Sequence, residues 1–257
     1  MPRLRAVEPL TPALARRAVA EAVGTALLVL AVIGSGIAAS QLTSDVALQL
    51  LANAAATAGA LVAIILAVGA VSGAHLNPVV TLADRVLGGL TTAEAGVYCG
   101  AQVVGGALGA VVANVMFSLP AVELSTRTRS SGALWTSEVV ATFGLLLVIF
   151  GVVRSGRSTV APFAVAAYIG AAYFFTSSTS FANPAVTMAR TLSDTFAGIA
   201  PSSVPPFVLA QLTGAVLATA LVRLLYPTIT EVASAVVLPH PTPGGESVRA
   251  SSGRDGF

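Results

Sequence analysis

The stretch SFANPAVTMAR, residues 180–190, interrupts an otherwise apolar sequence with an Asn-Pro pair and ends in an arginine. The stretch SGAHLNPVVTLADR, residues 72–85, carries the same pair. Proline fits the first turn of a helix, and asparagine is a favoured residue just before one. Each Asn-Pro pair therefore predicts the start of a helix, and the residues that precede it are expected to be extended chain.

The composition of the chain is that of a membrane protein. Of its 257 residues, 55% are hydrophobic and 9% are charged, whereas about 25% are charged in a typical soluble domain. The net charge of +2 gives no reason to expect a nucleic-acid partner. Cys99 is the only cysteine, so a disulfide within the chain and a cysteine metal site are both excluded. The sequence offers no metal site, cofactor site or nucleophile–base pair, which argues against an enzyme.

Six apolar stretches are long enough to cross about 30 Å of hydrocarbon. They cover residues 18–38, 46–69, 93–117, 133–153, 159–178 and 205–226. Two shorter apolar pieces, 78–87 and 184–192, follow the Asn-Pro pairs and are only about half a bilayer long. We therefore expect an all-α membrane protein with six transmembrane helices and two re-entrant half-helices.

Arginines indicate how the chain lies in the membrane. They precede the first span, lie between the fourth and fifth, and end the sixth: Arg3, Arg5, Arg16, Arg17, Arg154, Arg157 and Arg223. The positive-inside rule then places both termini in the cytoplasm. Every basic residue is arginine, which is typical of a GC-rich bacterial genome, so the expected location is the bacterial cell (inner) membrane. The expected organisation is a cytoplasmic segment 1–17, a channel domain 18–226 and a disordered cytoplasmic tail 227–257 that is rich in Pro, Gly and Ser.

The two halves of the channel domain, 18–117 and 133–226, repeat each other. Each half begins with a glutamate, Glu21 or Glu138, and continues with Asn-Pro followed by Val-Thr. Each then has an Ala-Gln span with small residues four apart: Ala101, Gly105, Gly109 and Ala210, Gly214, Ala218. Small residues at this spacing let neighbouring helices approach closely. Because each half holds three spans, the second half must be inverted relative to the first, which places the functional site at the midplane.

The inversion brings the N-termini of the two half-helices together near the middle of the membrane. Two positive dipole ends then lie beside the side-chain amides of Asn77 and Asn183, and the carbonyls of the extended segments supply acceptors. Such a site suits a small neutral hydroxylated solute and repels cations, including protons. The sequence therefore predicts a passive pore. An ion-coupled secondary transporter is the alternative class, since it also uses inverted repeats and broken helices.

These motifs, across residues 17–226, resemble the aquaporin and aquaglyceroporin (major intrinsic protein) family. The resemblance implies a homotetramer in the lipid bilayer, with a pore in each subunit whose centre is formed by Asn77, Pro78, Val79, Asn183, Pro184 and Ala185. It implies that the two asparagines donate to the permeating molecule. It also implies that Glu21 and Glu138 brace the re-entrant segments by accepting backbone hydrogens, with proton coupling as the alternative. His75 is expected to orient its segment, with gating or a proton role as the alternative.

Two positions depart from the family pattern. Val79 stands where the family usually has Ala, and Val186 stands directly after the second box, where the family usually has Arg. Counting without gaps from the two asparagines assigns the remaining filter positions to Thr57, Ala171 and Ser180. None of these is aromatic or charged, so we expect a wide, mildly polar filter.

A wide filter favours glycerol, urea and neutral metalloid acids such as arsenous acid, with some water. A mainly water-conducting aquaporin is the alternative. The stretch NPAVTMARTLSDTFAGI, residues 183–199, is similar to that of bacterial aquaglyceroporins associated with arsenite permeation.

Arg190 lies four residues beyond Val186, on the same helix face and about 5.4 Å further along. Helical side chains lean toward the N-terminus, so Arg190 could reach back to line the vestibule of the filter. Alternatively, it pairs with Asp194 at helical spacing and fixes the loop. Near the end of the fifth span, the aromatic residues 173–175 could anchor the helix at the membrane interface or line the pore.

Overall fold

The computed structural model describes residues 11–226, so the predicted tail 227–257 lies outside the described residues. Within the described residues, the helices are α1 (Pro12–Leu42), α2 (Val46–Ser72), α3 (Pro78–Leu87), α4 (Thr92–Met116), α5 (Gly132–Arg154), α6 (Ala161–Phe175), α7 (Pro184–Ala189) and α8 (Val204–Leu225). Among them, α1, α2, α4, α5, α6 and α8 belong to six helical stretches that are long and apolar enough to cross a membrane. The predicted fold of six spanning helices and two half-helices is confirmed.

Both half-helices begin at the predicted prolines. The side-chain oxygen of Asn77 accepts the amide hydrogen of Val79 at 3.1 Å, and that of Asn183 accepts the amide hydrogen of Ala185 at 3.0 Å. These bonds satisfy backbone donors that the first turn of a helix leaves without a partner. The Asn-Pro pairs therefore act as helix starts in both repeats.

Two helix boundaries differ from the sequence-based expectation. Helix α1 begins at Pro12, before the predicted boundary at residue 18, because Thr11 caps it by accepting the amide hydrogen of Leu14 at 3.3 Å. Helix α7 ends at Ala189, and a 3₁₀ turn, Arg190–Leu192, completes the predicted half-helix.

The segments before the half-helices are not extended throughout. Ala74 and Leu76 in the first repeat, and Ser180 and Ala182 in the second, have φ angles between 47° and 52°. This left-handed conformation costs a non-glycine residue roughly 1–2 kcal/mol. The prediction of extended chain is wrong at these four residues. The two repeats carry this backbone strain at equivalent positions, which indicates that the surrounding structure imposes it.

Glycines bring spanning helices into backbone contact. A Cβ atom on Gly105 would overlap the carbonyl oxygen of Ala22, and one on Gly214 would overlap the carbonyl oxygen of Val139. Helix α4 therefore packs closely on α1, and α8 packs closely on α5. The role predicted for the small residues in close helix packing is confirmed at these two positions.

The order of the six crossings defines two sides of the molecule. We call the side that holds Pro12 and Leu225 the terminal side, and the side that holds the connection 117–131 the loop side. Half-helix α3 runs from the middle toward the terminal side and α7 runs from the middle toward the loop side. The two half-helices contact each other and also pack on α8, so their N-termini meet inside the protein.

Candidate functional site: a cavity between the repeats

A cavity of about 630 Å³, including its open ends, is lined by residues of both repeats. One part of its wall is apolar: Val32, Leu61, Ile65, Leu145, Ile149 and Ile169. The half-helices and the segments next to them supply polar lining groups, among them Asn77, Asn183, Ser180 and Arg190. The cavity is therefore lined by both apolar and polar groups.

The two asparagines connect the repeats at the centre of the cavity. The Asn77 side-chain amide donates to the carbonyl of Ala182 at 2.8 Å, and that of Asn183 donates to the carbonyl of Leu76 at 2.8 Å. A primary amide has two N–H groups, so each asparagine keeps one further donor at the cavity wall. The same exchange in both directions fixes the half-helix N-termini against each other.

The other predicted box residues lie behind the cavity wall. Pro78, Val79, Pro184 and Ala185 are buried and are not among the residues that line the cavity. They occupy the first turn of each half-helix. The next residue along is rotated by about 100°, and the side chains that face the cavity from there are those of Val80 and Val186.

Each glutamate accepts four hydrogen bonds. Glu21 accepts from the Ser72 hydroxyl, the Gln102 amide and the backbone N–H groups of His75 and Leu76, at 2.6–2.9 Å. Glu138 accepts the equivalent bonds in the second repeat, from Ser178, Gln211, Phe181 and Ala182, at 2.6–2.9 Å. Both side chains are fully buried. These are the contacts that bracing of the re-entrant segments requires.

His75 has two polar partners inside the wall. Its Nδ1 atom lies 3.1 Å from the Thr81 hydroxyl, and its Nε2 atom lies 3.9 Å from a carboxylate oxygen of Asp84. The His75 ring also packs edge-on against Tyr98, with ring centroids 5.2 Å apart. These contacts fit the orienting role expected for His75.

Three of the four predicted filter residues line the cavity: Thr57, Ser180 and Val186. Ala171 is not among the lining residues. Ala171 is exposed on the far side of α6, about 200° around the helix from Ile169. Tyr173 lies at this end of the cavity instead, with its hydroxyl 3.1 Å from the hydroxyl of Thr57.

Arg190 reaches the cavity from one turn beyond Val186. Its side chain lines the cavity and the residue is 3% exposed. The guanidinium donates to the carbonyl of Ala197 and stacks over the ring of Phe181, 3.5 Å from the ring centroid. The alternative pairing is wrong, because the exposed Asp194 accepts from the Thr126 backbone N–H at 3.0 Å.

Two further arginines lie on the loop side near Arg190. Arg127 donates to the carbonyl of Phe196 at 2.7 Å, and Arg129 donates to that of Gly198 at 3.0 Å. Burial, with a smaller effect of the neighbouring Arg127 charge, lowers the pKa of Arg129 to about 10. Arg129 therefore stays charged at neutral pH, and this end of the cavity is positive.

Counting residues from the two asparagines did not identify Tyr173 and Phe181, two aromatic residues that line the cavity. The sequence could have indicated Tyr173, because Val165, Ile169 and Tyr173 are four residues apart and therefore share one face of α6. Phe181 is the repeat equivalent of His75 and could have been found by aligning the halves. Tyr173, Phe181 and Arg190 therefore line the cavity in addition to the predicted Thr57, Ser180 and Val186.

The model of the family described as "Major intrinsic protein" matches residues 9–182 and 159–249. The chain belongs to the major intrinsic protein family. This result confirms the resemblance drawn from the paired boxes. The family consists of channels, and the protein is a multi-pass membrane channel for small solutes.

Relatives of known name support this placement. The chain is 50% identical over 212 residues to the aquaglyceroporin AqpS of Rhizobium meliloti. The aligned region covers 82% of this chain and 91% of that protein. It is 34% identical over 166 residues to a probable TIP-type aquaporin of Antirrhinum majus, covering 60% and 65% of the two chains. The X-ray structure of the aquaglyceroporin from Plasmodium falciparum superposes with a TM-score of 0.61 at 19% identity, covering 84% of this chain and 98% of that one. The last match shows a shared fold.

Proposed function

We propose that this member of the major intrinsic protein family is a passive channel for small uncharged solutes. The solutes are polyols such as glycerol, urea, and neutral metalloid acids such as arsenous acid, with some water. The amphipathic cavity is the observation that carries this proposal. Polar groups of Asn77, Asn183, Ser180 and Arg190 lie along one part of its wall, and aliphatic side chains lie along another.

A hydroxylated solute matches such a wall better than water does. Its hydroxyl groups can exchange hydrogen bonds with the two asparagines, while its C–H groups lie against side chains such as Ile149. The hydroxyl of Ser180 is buried at the cavity and makes no hydrogen bond to any residue in the described range 11–226. A buried hydroxyl without a partner is costly, and a passing solute hydroxyl would satisfy it.

The charge distribution supports exclusion of protons and other cations. The N-termini of α3 and α7 face the centre of the cavity, and each carries a partial positive charge. The guanidinium of Arg190 adds a full charge at the loop-side end. A cation that enters would have to pass these charges after losing most of its hydration.

The glutamates support a channel over an ion-coupled transporter. A coupling acid must take up and release its ion during transport. Each carboxylate of Glu21 and Glu138 instead accepts four hydrogen bonds from the segments that it braces. A loss of these bonds would release the strained backbone, so we assign both glutamates to bracing.

The choice of larger solutes over water alone rests on the filter. Val186 is small and uncharged where the family usually has Arg, and Arg190 approaches from one turn further toward the loop side. A 50% identical relative is named an aquaglyceroporin, which favours glycerol-type solutes over a mainly water-conducting pore. Arsenous acid is proposed because it is a small neutral acid with hydroxyl groups that suit the same donors and acceptors.

We also propose a homotetramer in a bacterial cell membrane, with the terminal side in the cytoplasm. The positive-inside pattern of the arginines supports this orientation. Large apolar side chains on the outer faces of the spanning helices, including Val104 and Leu108 on α4, are exposed in the single chain. Lipid and neighbouring subunits would cover them.

Stopped-flow light scattering on proteoliposomes tests the solute class. Vesicles with purified protein are mixed with equal osmolarities of glycerol, urea, arsenous acid or sucrose, and their reswelling is compared with that of empty vesicles. We expect rapid reswelling with glycerol, urea and arsenous acid and none with sucrose. Fast water flow with no solute reswelling would contradict the proposal and favour the water-conducting alternative.

A further inference from the structure

The connection between the two halves, 117–131, is bound to the second repeat beside the filter. The backbone N–H of Ser125 donates to the carbonyl of Thr191 at 2.9 Å. The carbonyl of Arg127 accepts from the backbone N–H of Ala200 at 2.8 Å. These bonds fix the connection against the chain that follows α7, so its side chains are held close to the loop-side end of the cavity.

Three successive carbonyls in this part of the second repeat accept from arginines. Arg129 of the connection donates from Nε to the Gly198 carbonyl at 3.0 Å and from Nη2 to the Phe196 carbonyl at 3.4 Å. Arg190 donates to the carbonyl that lies between them in sequence, that of Ala197. Hydrogen bonds from a charged donor are stronger than those between neutral groups. One short segment therefore holds the guanidinium groups of both arginines.

The ring of Phe181 contacts the same two guanidinium groups. The guanidinium carbon of Arg190 lies 3.5 Å from the ring centroid, and that of Arg129 lies 5.1 Å from it. A guanidinium over an aromatic ring is attracted by the negative face of the ring. Phe181 is buried and packs edge-on against Phe207, with ring centroids 5.2 Å apart. The ring is therefore a shared support for a residue of the connection and a residue of the cavity wall.

The two positive charges are close enough to repel each other. Both guanidinium carbons lie near one ring, so their separation is below about 10 Å, the Debye length at 0.1 M salt. The face of the ring and the three carbonyls attract the guanidinium groups and offset this repulsion. Because these contacts offset the same repulsion, removal of one guanidinium changes the position at which the ring and the other guanidinium are most stable.

We propose that Arg129 is a positioning residue of the loop-side filter, which holds the Phe181 ring where the Arg190 guanidinium stacks on it. Arg190 then stays at the cavity wall, where its charge excludes cations. Arg129 acts from behind the wall, since it is not among the residues that line the cavity. The connection 117–131 thereby contributes to the selectivity of the pore. This inference rests on the proposed function, because it explains how the cation barrier of that channel is held in place.

Arg127 offers a matched control two residues away on the same connection. It also donates to the Phe196 carbonyl, at 2.7 Å, and its guanidinium carbon lies 5.4 Å from the centroid of the Phe196 ring. Within the described range 11–226, its aromatic contact is therefore Phe196 and not Phe181. Arg127 is exposed. The two arginines share their charge, their loop and one carbonyl, and they differ in the contact with Phe181.

A double-mutant cycle on proton leak through proteoliposomes tests the positioning role. We expect Arg129→Ala to raise the leak about threefold or more, the factor by which loss of one cation–π contact shifts an equilibrium. Arg127→Ala should stay within about twofold of the parent, because an exposed charge contributes little. The double variant Arg129→Ala, Arg190→Ala should leak as Arg190→Ala does, since Arg129 acts through Arg190. No rise in Arg129→Ala, or effects that multiply in the double variant, would overturn the proposal.

The variant Arg129→Lys separates position from charge. Lysine keeps the positive charge, but its ammonium group has neither the planar face that stacks on a ring nor the fixed donors that reach two carbonyls. We therefore expect Arg129→Lys to leak as Arg129→Ala does. A leak equal to that of the parent would show that the charge alone acts, and would contradict the positioning role.

Fluorine NMR tests the shared ring without any transport assay. The protein is labelled with 4-fluorophenylalanine, and the signal of Phe181 is identified by its loss in Phe181→Leu. We expect this signal to shift in Arg129→Ala and in Arg190→Ala and to stay in place in Arg127→Ala. An unmoved signal in Arg129→Ala would overturn the proposal. If no protein passes glycerol, the parent included, the proposed function fails, and the fluorine signal still decides whether Arg129 holds the ring.

Discussion

At the residue scale, a charge stands one helical turn beyond Val186, the residue that follows the second Asn-Pro-Ala box. Val186 occupies the position after the second box, and Arg190 lies four residues later with its guanidinium at the cavity wall. The ring of Phe181 supports the guanidinium from one side, and the Ala197 carbonyl accepts from it. Arg190 is therefore held in place at the loop-side end, where it can act on passing solutes.

Replacement of Arg190 tests this role. In Arg190→Ala the cavity loses its only full positive charge among the lining residues of the described chain. We expect proton leak through proteoliposomes to rise about tenfold or more, because a unit charge a few ångströms away is worth a few kcal/mol near a protein surface. Arg16→Ala, at an exposed position on α1, is the control and should behave as the parent does. Unchanged proton leak in folded Arg190→Ala would remove Arg190 from the filter.

At the element scale, two different features build the pore wall. The Asn-Pro starts of α3 and α7 are local and follow from capping and proline geometry, so the sequence predicted them to the residue. The filter depends on how α6 is rotated relative to α7, which is a property of packing. Counting from the asparagines could not supply that rotation, and it selected Ala171 where the structure places Tyr173 at the cavity.

Sequence patterns also could not predict the left-handed backbone before the half-helices. Ala74 and Ala182 adopt a conformation that alanine seldom takes on its own. The glutamate contacts and the exchange between the asparagines impose it. Such a tertiary cause leaves no local signal other than the repeat itself.

Glycine contacts between spanning helices give a second prediction. Gly105 of α4 packs against the backbone of Ala22, whereas Gly100 of the same helix has open space where a Cβ would lie. Gly105→Leu should therefore separate α1 from α4 and lower stability by about 3 kcal/mol or more, since backbone cannot yield as a side chain can. Gly100→Leu is the matched control and should be tolerated. Thermal unfolding in detergent measures both, and equal melting temperatures would contradict the packing described for α4.

At the scale of the whole molecule, the two halves share the residues that brace the half-helices and differ in the charged residue that follows each Asn-Pro pair. The same glutamate, glutamine, threonine and asparagine positions recur in both repeats, and these made the inverted repeat readable from sequence. The equivalent positions that differ are His75 and Asp84 in the first repeat and Phe181 and Arg190 in the second. Their roles depend on contacts across helices and required the structure.

The most direct test of a passive channel is the response of glycerol flux to concentration and to ion gradients. Initial rates of radiolabelled glycerol uptake into proteoliposomes are measured over a wide concentration range, with and without an imposed proton or sodium gradient. A channel predicts rates that rise linearly with concentration and do not change with either gradient. Saturable uptake that a proton or sodium gradient accelerates would contradict the account and identify an ion-coupled transporter.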